Sequence, residues 1–433
     1  MKGIVLILTV MMLSGIMLAG CDESGPAGVN NRNSAVAPLP EINPRLSFTC
    51  KHQIIPAPSA DSDVLFKYAR WLQKNNQLAE DAAVTEQVAR LYRIAAENGH
   101  YKANINLQNG ALRGHFSLSG PERLRFSQAL IDAGVGAGYY FVAIYLQHGA
   151  AGLQQDEAMA LRYYRKAADE GNPQAQAYIG EKLAPVELAP DVSRQLRRCA
   201  AEQGDGEAAT ALGVDLKNRR RYQEAIEAFQ LGVSGGSDIS ASFLASGFSD
   251  PEPGNTLDYL ALGKDLERAK RYAVIGKILS GYSYAHPTVP EINDIVPLPP
   301  APLPTWDGSL KWLDERNANV APEKPSESLI NRLAKAKQLN PATGKPLPGS
   351  PHFDKYAGVP VLCRSGEPCP QSGYWQVARL PAKGIIDDAI RYFVQGAVLP
   401  AERVEYFSPR PWPLKDKREW REEDVEWRLV GEA

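Results

Sequence analysis

Five segments of this chain end on a glycine at nearly equal intervals, and that period limits the fold more than any other feature. Tyr92-Arg93-Ile94-Ala95-Ala96-Glu97-Asn98-Gly99 recurs as Tyr164-Arg165-Lys166-Ala167-Ala168-Asp169-Glu170-Gly171 and as Leu196-Arg197-Arg198-Cys199-Ala200-Ala201-Glu202-Gln203-Gly204. Looser copies end at Gly134 and Gly236. The five glycines are 35, 37, 33 and 32 residues apart. Each closes a helix, because a chain leaving a helix by a left-handed turn favours glycine there. A second helical run follows three of them, at 174–180, 207–213 and 240–245. One such helix pair cannot bury its own apolar face, so pairs must stack on one another. The expected product is a mainly α helical-repeat solenoid.

These segments resemble Sel1-type repeats, relatives of the tetratricopeptide repeat, over roughly 61–249. The match is best in the copies ending at Gly171 and Gly204. The resemblance implies protein recognition and no chemistry. The resemblance extends beyond the repeats. The fragments Cys369–Trp375 and Tyr392–Pro400 resemble the ends of bacterial toxin-immunity proteins, and the segment with Trp306-Asp307-Gly308 resembles one that follows Sel1 repeats in similar envelope lipoproteins.

The remaining segments differ in composition. Leu257 to Ser280 has apolar residues at helical spacing and is expected to be one long capping helix. Residues 286–325 hold five prolines between Pro297 and Pro304, a stiff strap anchored by Trp306. A helix is expected over 326–339. Residues 326–433 are expected to form a small α+β C-terminal domain holding four of the seven tryptophans.

The N-terminus carries a targeting signature. Lys2 precedes an apolar run from Ile4 to Ala19, 16 residues long and shorter than the ~20 a spanning helix needs. Leu18-Ala19-Gly20-Cys21 follows and resembles the lipobox of bacterial lipoproteins. The resemblance implies that residues 1–20 are a signal peptide, that Cys21 is lipidated, and that the protein faces the periplasm. Asp22 after it resembles an inner-membrane retention signal. Residues 21–59, rich in Gly, Asn, Ser and Pro, read as a flexible tether, with the solenoid running from 60 to 285. In an oxidising compartment the four other cysteines suggest disulfides. Cys363 and Cys369, six apart around Gly366 and Pro368, are expected to pair; Cys50 with Cys199 is left open.

Sequence chemistry points away from catalysis. Gly232-Val233-Ser234-Gly235-Gly236 has the spacing of a nucleophile elbow, but a helix precedes it where a strand is required. The six histidines are all more than four residues apart, so none forms a helical metal pair, and there is no P-loop. No cofactor is expected. The net charge of −2 gives no general drive towards nucleic acid. Lipoproteins of this layout resemble immunity proteins of type VI secretion systems, some paired with phospholipase D-like toxins. The resemblance implies a protein partner of lipase type, neutralised by occlusion of its active site; the alternative is a general envelope scaffold. By residue type, Tyr139, Tyr140, Tyr163, Trp375 and Trp412 are candidate contacts, and Glu422, Glu423 and Asp424 form an acidic patch suited to a basic site.

Overall fold

The computed structural model describes residues 47–185, 188–353, 361–379, 384–385, 391–408 and 417–432. Cys21 and Trp412 lie outside the described residues. Helix α1 (Ala60–Asn76) precedes five helix pairs. They are α2 (Ala82–Glu97) with α3 (Tyr101–Leu112), α4 (Gly120–Asp132) with α5 (Ala137–His148), and α6 (Glu157–Asp169) with α7 (Pro173–Lys182). Next come α8 (Pro190–Glu202) with α9 (Gly206–Asn218) and α10 (Tyr222–Ser234) with α11 (Asp238–Gly247). Helix α12 (Leu266–Gly281) packs on α11 and ends the stack. It begins later than the expected 257, because the Asp265 side chain caps it by accepting from Arg268 N.

The turn inside each pair repeats in atomic detail. Gly99, Gly134, Gly171, Gly204 and Gly236 all have φ between +71° and +93°. Each glycine N–H bonds the carbonyl three residues back, and the next N–H bonds the carbonyl five residues back, as in Asn172 to Ala167 and Asp205 to Ala200. The residue after the glycine then caps the second helix in four of the five turns. His100, Asn172, Asp205 and Ser237 accept from the N–H three residues on. Burial pushes the His100 ring's pKa down, which keeps it the neutral acceptor this cap needs. The α4–α5 turn lacks such a cap, since Gly136 has no side chain to offer.

Packing between pairs uses small residues and a few large ones. Ala95, Ala167, Ala200 and Ala228 are fully buried, which lets neighbouring helices approach closely. A buried polar network also crosses the seam. Gln108 donates to Asn104 Oδ1 and accepts from Ser127 and from the Tyr145 hydroxyl, tying α3, α4 and α5 together.

Three segments of the chain's own backbone then lie along the row of turns. The first is the arm 47–58, read from sequence as part of a flexible tether but bound over the described stretch. A disulfide joins Cys50 to Cys199 on α8. Gln53 N–H donates to Gln203, the Gln53 side-chain oxygen accepts from Ala137 N, and Lys51 O accepts from Gln176. Phe48 and Ile55 pack into the repeat cores. The second segment crosses the α10–α11 turn, where Val289 N–H bonds Ser234 O. The third covers the α2–α3 turn. Leu333 O accepts from Asn98, Pro341 O from Arg90 and Thr343 O from Arg93. Arg93 also pairs with Glu122 on α4, both buried.

The proline-rich strap carries the chain from the last pair back to the first. After α13 (Ile292–Ile295) it is held by Arg271 and Arg268, which donate to Ile295 O and Pro297 O. Trp306 packs against the core of the last pairs, as its anchoring role required. Helix α14 (Lys311–Ala318) follows, and Asn319 makes reciprocal amide bonds with Asn75 of α1, 244 residues away. Helix α15 (Glu327–Ala336) lays Ile330, Leu333 and Ala334 against Leu65, Leu91 and Val88. The helix expected over 326–339 therefore belongs to the first repeats, not to a C-terminal domain.

The described remainder is β. Strands β1 (Leu362–Arg364), β2 (Gly373–Arg379), β4 (Arg391–Phe393) and β7 (Glu426–Glu432) form an antiparallel sheet in the order β1-β7-β2-β4. Strands β3 (Gly384–Ile385), β5 (Glu402–Ser408) and β6 (Lys417–Glu423) form a second sheet in the order β3-β5-β6. The core of this region is Cys363, Cys369, Trp375, Leu399, Val425, Trp427 and Leu429.

The turn glycines supply a test of the arm's placement. A Cβ at Gly204 would meet nothing within 4 Å, so Gly204→Ala should cost only the left-handed backbone penalty, about 1–2 kcal/mol. At Gly171 the added carbon would stand 2.6 Å from the His52 carbonyl carbon, so Gly171→Ala should lower the unfolding midpoint further. Equal losses in chemical denaturation would mean that the arm does not rest on this turn.

Candidate partner-binding surface

The structure gives the sequence candidates different roles. Tyr139, Tyr140 and Tyr163 are half-buried rings of the seam between α5, α6 and α7. The Tyr139 and Tyr163 centroids are 6.2 Å apart, Lys166 Nζ lies 5.7 Å from the Tyr139 centroid, and Tyr140 meets Tyr164 edge-on at 5.8 Å. Burial raises the Tyr140 pKa. These rings expose only part of their surface, and structural packing occupies the rest. Trp375 corrects the expectation outright. It is 0% exposed at the centre of the β core, with its indole N–H donating to Gln371 O, so it cannot touch a partner.

The acidic patch lies where the chain passes from one sheet to the other. Glu422 and Glu423 end β6, and Asp424 lies in the short link before β7. Glu422 stands opposite Arg403 in the strand register, and Glu423 accepts from the Tyr406 hydroxyl. Glu422 and Asp424 are exposed. Beside them Trp420 is 52% exposed with the Arg403 guanidinium 5.0 Å from its ring. An exposed tryptophan stacked with arginine has the composition of a binding hot spot.

The expected Cys363–Cys369 bridge is absent, and both are free, buried thiols. Backbone bonds close that loop instead: Glu367 N–H to Arg364 O, Cys369 N–H to Ala397 O and Gly396 N–H to Cys369 O. The sulfurs turn to different carbonyls, Cys363 to Pro368 O and Cys369 to Gln371 O. Burial, followed by the nearby Glu367 carboxylate, pushes the Cys363 thiol's pKa up. Cys50, His52 and Cys199 bring three ligand atoms within 4.8 Å of one another. The two sulfurs are joined, however, so neither is available as a thiolate ligand.

A second surface went unrecognised in the sequence. Arg316 of α14 places its guanidinium 5.7 Å from the Tyr282 centroid, 5.4 Å from Tyr284 and 5.6 Å from Trp312. Trp71 of α1 joins the same corner through its indole N–H, which donates to Asn319 O. Each cation–π contact at an exposed site contributes about 0.5–1 kcal/mol, so the cluster holds its shape before any partner arrives. Its members come from three stretches of sequence that meet only because the strap returns to α1. Ser234 of the elbow-like motif is the last residue of α10, with its carbonyl taken by Val289.

A family model described as a domain of unknown function, DUF6396, matches residues 240–347, from α11 to the end of the strap's contacts with α2. No curated protein matches the chain. Among solved structures, immunity protein Pa5087 from Pseudomonas aeruginosa is 25% identical, covering 59% of this chain and 96% of its own, with a TM-score of 0.46. Immunity protein PA5088 from the same organism is 25% identical, covering 59% and 95%, with a TM-score of 0.47. A Sel1 repeat protein from Oxalobacter formigenes is 18% identical, covering 50% and 87%, with a TM-score of 0.36. The chain is thus similar to Sel1-repeat proteins and to solved immunity proteins.

Proposed function

We propose that this protein is an immunity lipoprotein that binds a type VI secretion toxin and neutralises it by covering its active site. The observation that carries this reading is a prebuilt surface rich in Trp, Tyr and Arg on a helical-repeat body. Such a surface loses little ordering entropy on binding, so its contacts convert well into affinity. The reading brings to this chain the role by which Pa5087 and PA5088 are described. Its support is the resemblance in sequence and the surface itself, not the overall superpositions. A phospholipase, of phospholipase D-like type, is the partner class that the sequence resemblance implies. The protein acts by contact and carries out no reaction of its own.

Anchoring places it where such a toxin acts. Lipid on Cys21 would hold the protein at the periplasmic face of a membrane, the inner membrane by Asp22. No helix among the described residues is long and apolar enough to cross a membrane. Two acyl chains give stable attachment where one does not. In cells fed labelled palmitate, the wild-type protein should take up label and fractionate with membranes. Cys21→Ala should lose both, and label retained in that variant would refute lipidation there.

The partner is tested with the mature chain from Asp22 as bait in extract of the source strain. The expected result is a one-to-one complex with a secreted phospholipase whose activity is abolished, weakened at least about tenfold by Trp312→Ala. Recovery of resident envelope proteins without any toxin would favour the scaffold alternative. A complex in which the phospholipase stays active would contradict occlusion.

A further inference from the structure

Beside the aromatic corner, between α13 and the start of α14, lies a cleft of about 180 Å³. Glu291, Asp294, Trp306, Ser309, Lys311 and Asp314 line it. Three carboxylates against one ammonium leave it acidic. Glu291 is only 8% exposed. One of its oxygens accepts from Lys311 N–H at 2.8 Å, and the other is buried without a partner. A buried carboxylate oxygen with no donor is unusual in a finished site.

We infer that this cleft receives an arginine side chain of the protein partner. The inference rests on the partner-binding reading and names the chemistry of the contact. A cavity of about 150 Å³ holds a benzene-sized molecule, so four guanidinium heavy atoms and part of the stem fit here. Guanidinium offers donors in a planar fork that suits carboxylates spread around a cleft, where a lysine ammonium is a single point. Trp306 forms an apolar wall for the stem. Its indole lies 5.8 Å from the Arg271 guanidinium of this chain, so the ring is already in a cation-rich setting. The arrangement does not suit a metal ion. Among the described residues only Cys50, His52 and Cys199 bring three such ligand atoms within 4.8 Å of one another. Helix α14 links the two features: Lys311 and Asp314 line the cleft, while Trp312 and Arg316 form the corner. A buried carboxylate edged by aromatic residues has the anatomy of an interface hot spot.

The test needs no toxin, so its failure strikes the cleft alone and leaves the immunity reading standing. N-acetyl-arginine amide is titrated into the 15N-labelled mature chain. The Trp306 indole N–H, which donates to Ser309 O at 2.8 Å, is the reporter, assigned with Trp306→Phe. The expected result is a saturable shift with a Kd on the order of millimolar, as suits a small fragment. N-acetyl-lysine amide should bind more weakly. Glu291→Gln keeps an oxygen for Lys311 N–H and should weaken arginine binding about tenfold. Asp314→Asn, at an exposed position that cannot unfold the protein, should weaken it about threefold. No saturable shift, or unchanged affinity in both variants, would overturn the proposal. Calcium chloride producing the same shift at lower concentration would make this a metal site and overturn it too.

Discussion

Everything in the helical body depends on one backbone event, the left-handed turn that ends the first helix of each pair. Its two hydrogen bonds satisfy carbonyls that a helix end leaves unmet, and in four of the five turns the residue after the glycine accepts from an N–H at the start of the next helix. The angle between paired helices is thereby set locally, by bonds within the turn itself. Alanines in the seam then let the pairs stack at close range, and buried polar groups such as Gln108 and Gln230 bond either within the stack or to the straps that cover it.

The turns have a second consequence. They form a continuous edge, and the chain covers that edge with its own backbone. The arm 47–58 crosses the turns at Gly134, Gly171 and Gly204, the segment around Pro287 crosses the one at Gly236, and the 333–344 segment crosses the one at Gly99. The cover is closest at Gly171 and Gly236, where an added Cβ would meet the backbone of His52 and Pro287, while Gly134 and Gly204 stay exposed. The returning strap builds the aromatic corner around Arg316 and the acidic cleft on α14, and β6 presents Trp420.

The repeat part of this architecture was legible in the sequence because its signals are local. The glycine period marked the first helix of all five pairs and the second helix of three. Trp306 as an anchor was also legible, since one large apolar ring in a proline-rich strap has few other uses. What could not be read was set by contacts far apart in the chain. Cys50 and Cys199 are 149 residues apart and pair only because the arm turns back over α8. Arg316 looks like an ordinary charged residue until the strap brings Tyr282 and Trp312 around it. Trp375 was misjudged because residue type does not separate a core tryptophan from a contact tryptophan. Strand β2 lies between β7 and β4, and that central place buries it. Cys363 and Cys369 were misjudged for a related reason. Short spacing suggested a bridge, but strand register and backbone bonds close that loop unaided.

The central claim is that the arm is a fixed part of the repeat body, covering its turns and held by the Cys50–Cys199 bond. Amide hydrogen exchange on the mature chain, oxidised and then reduced, tests it most directly. The account predicts protection of residues 47–58 in the oxidised protein, lost on reduction while α6 to α9 keep theirs. Rapid exchange of the arm in the oxidised protein would contradict the account.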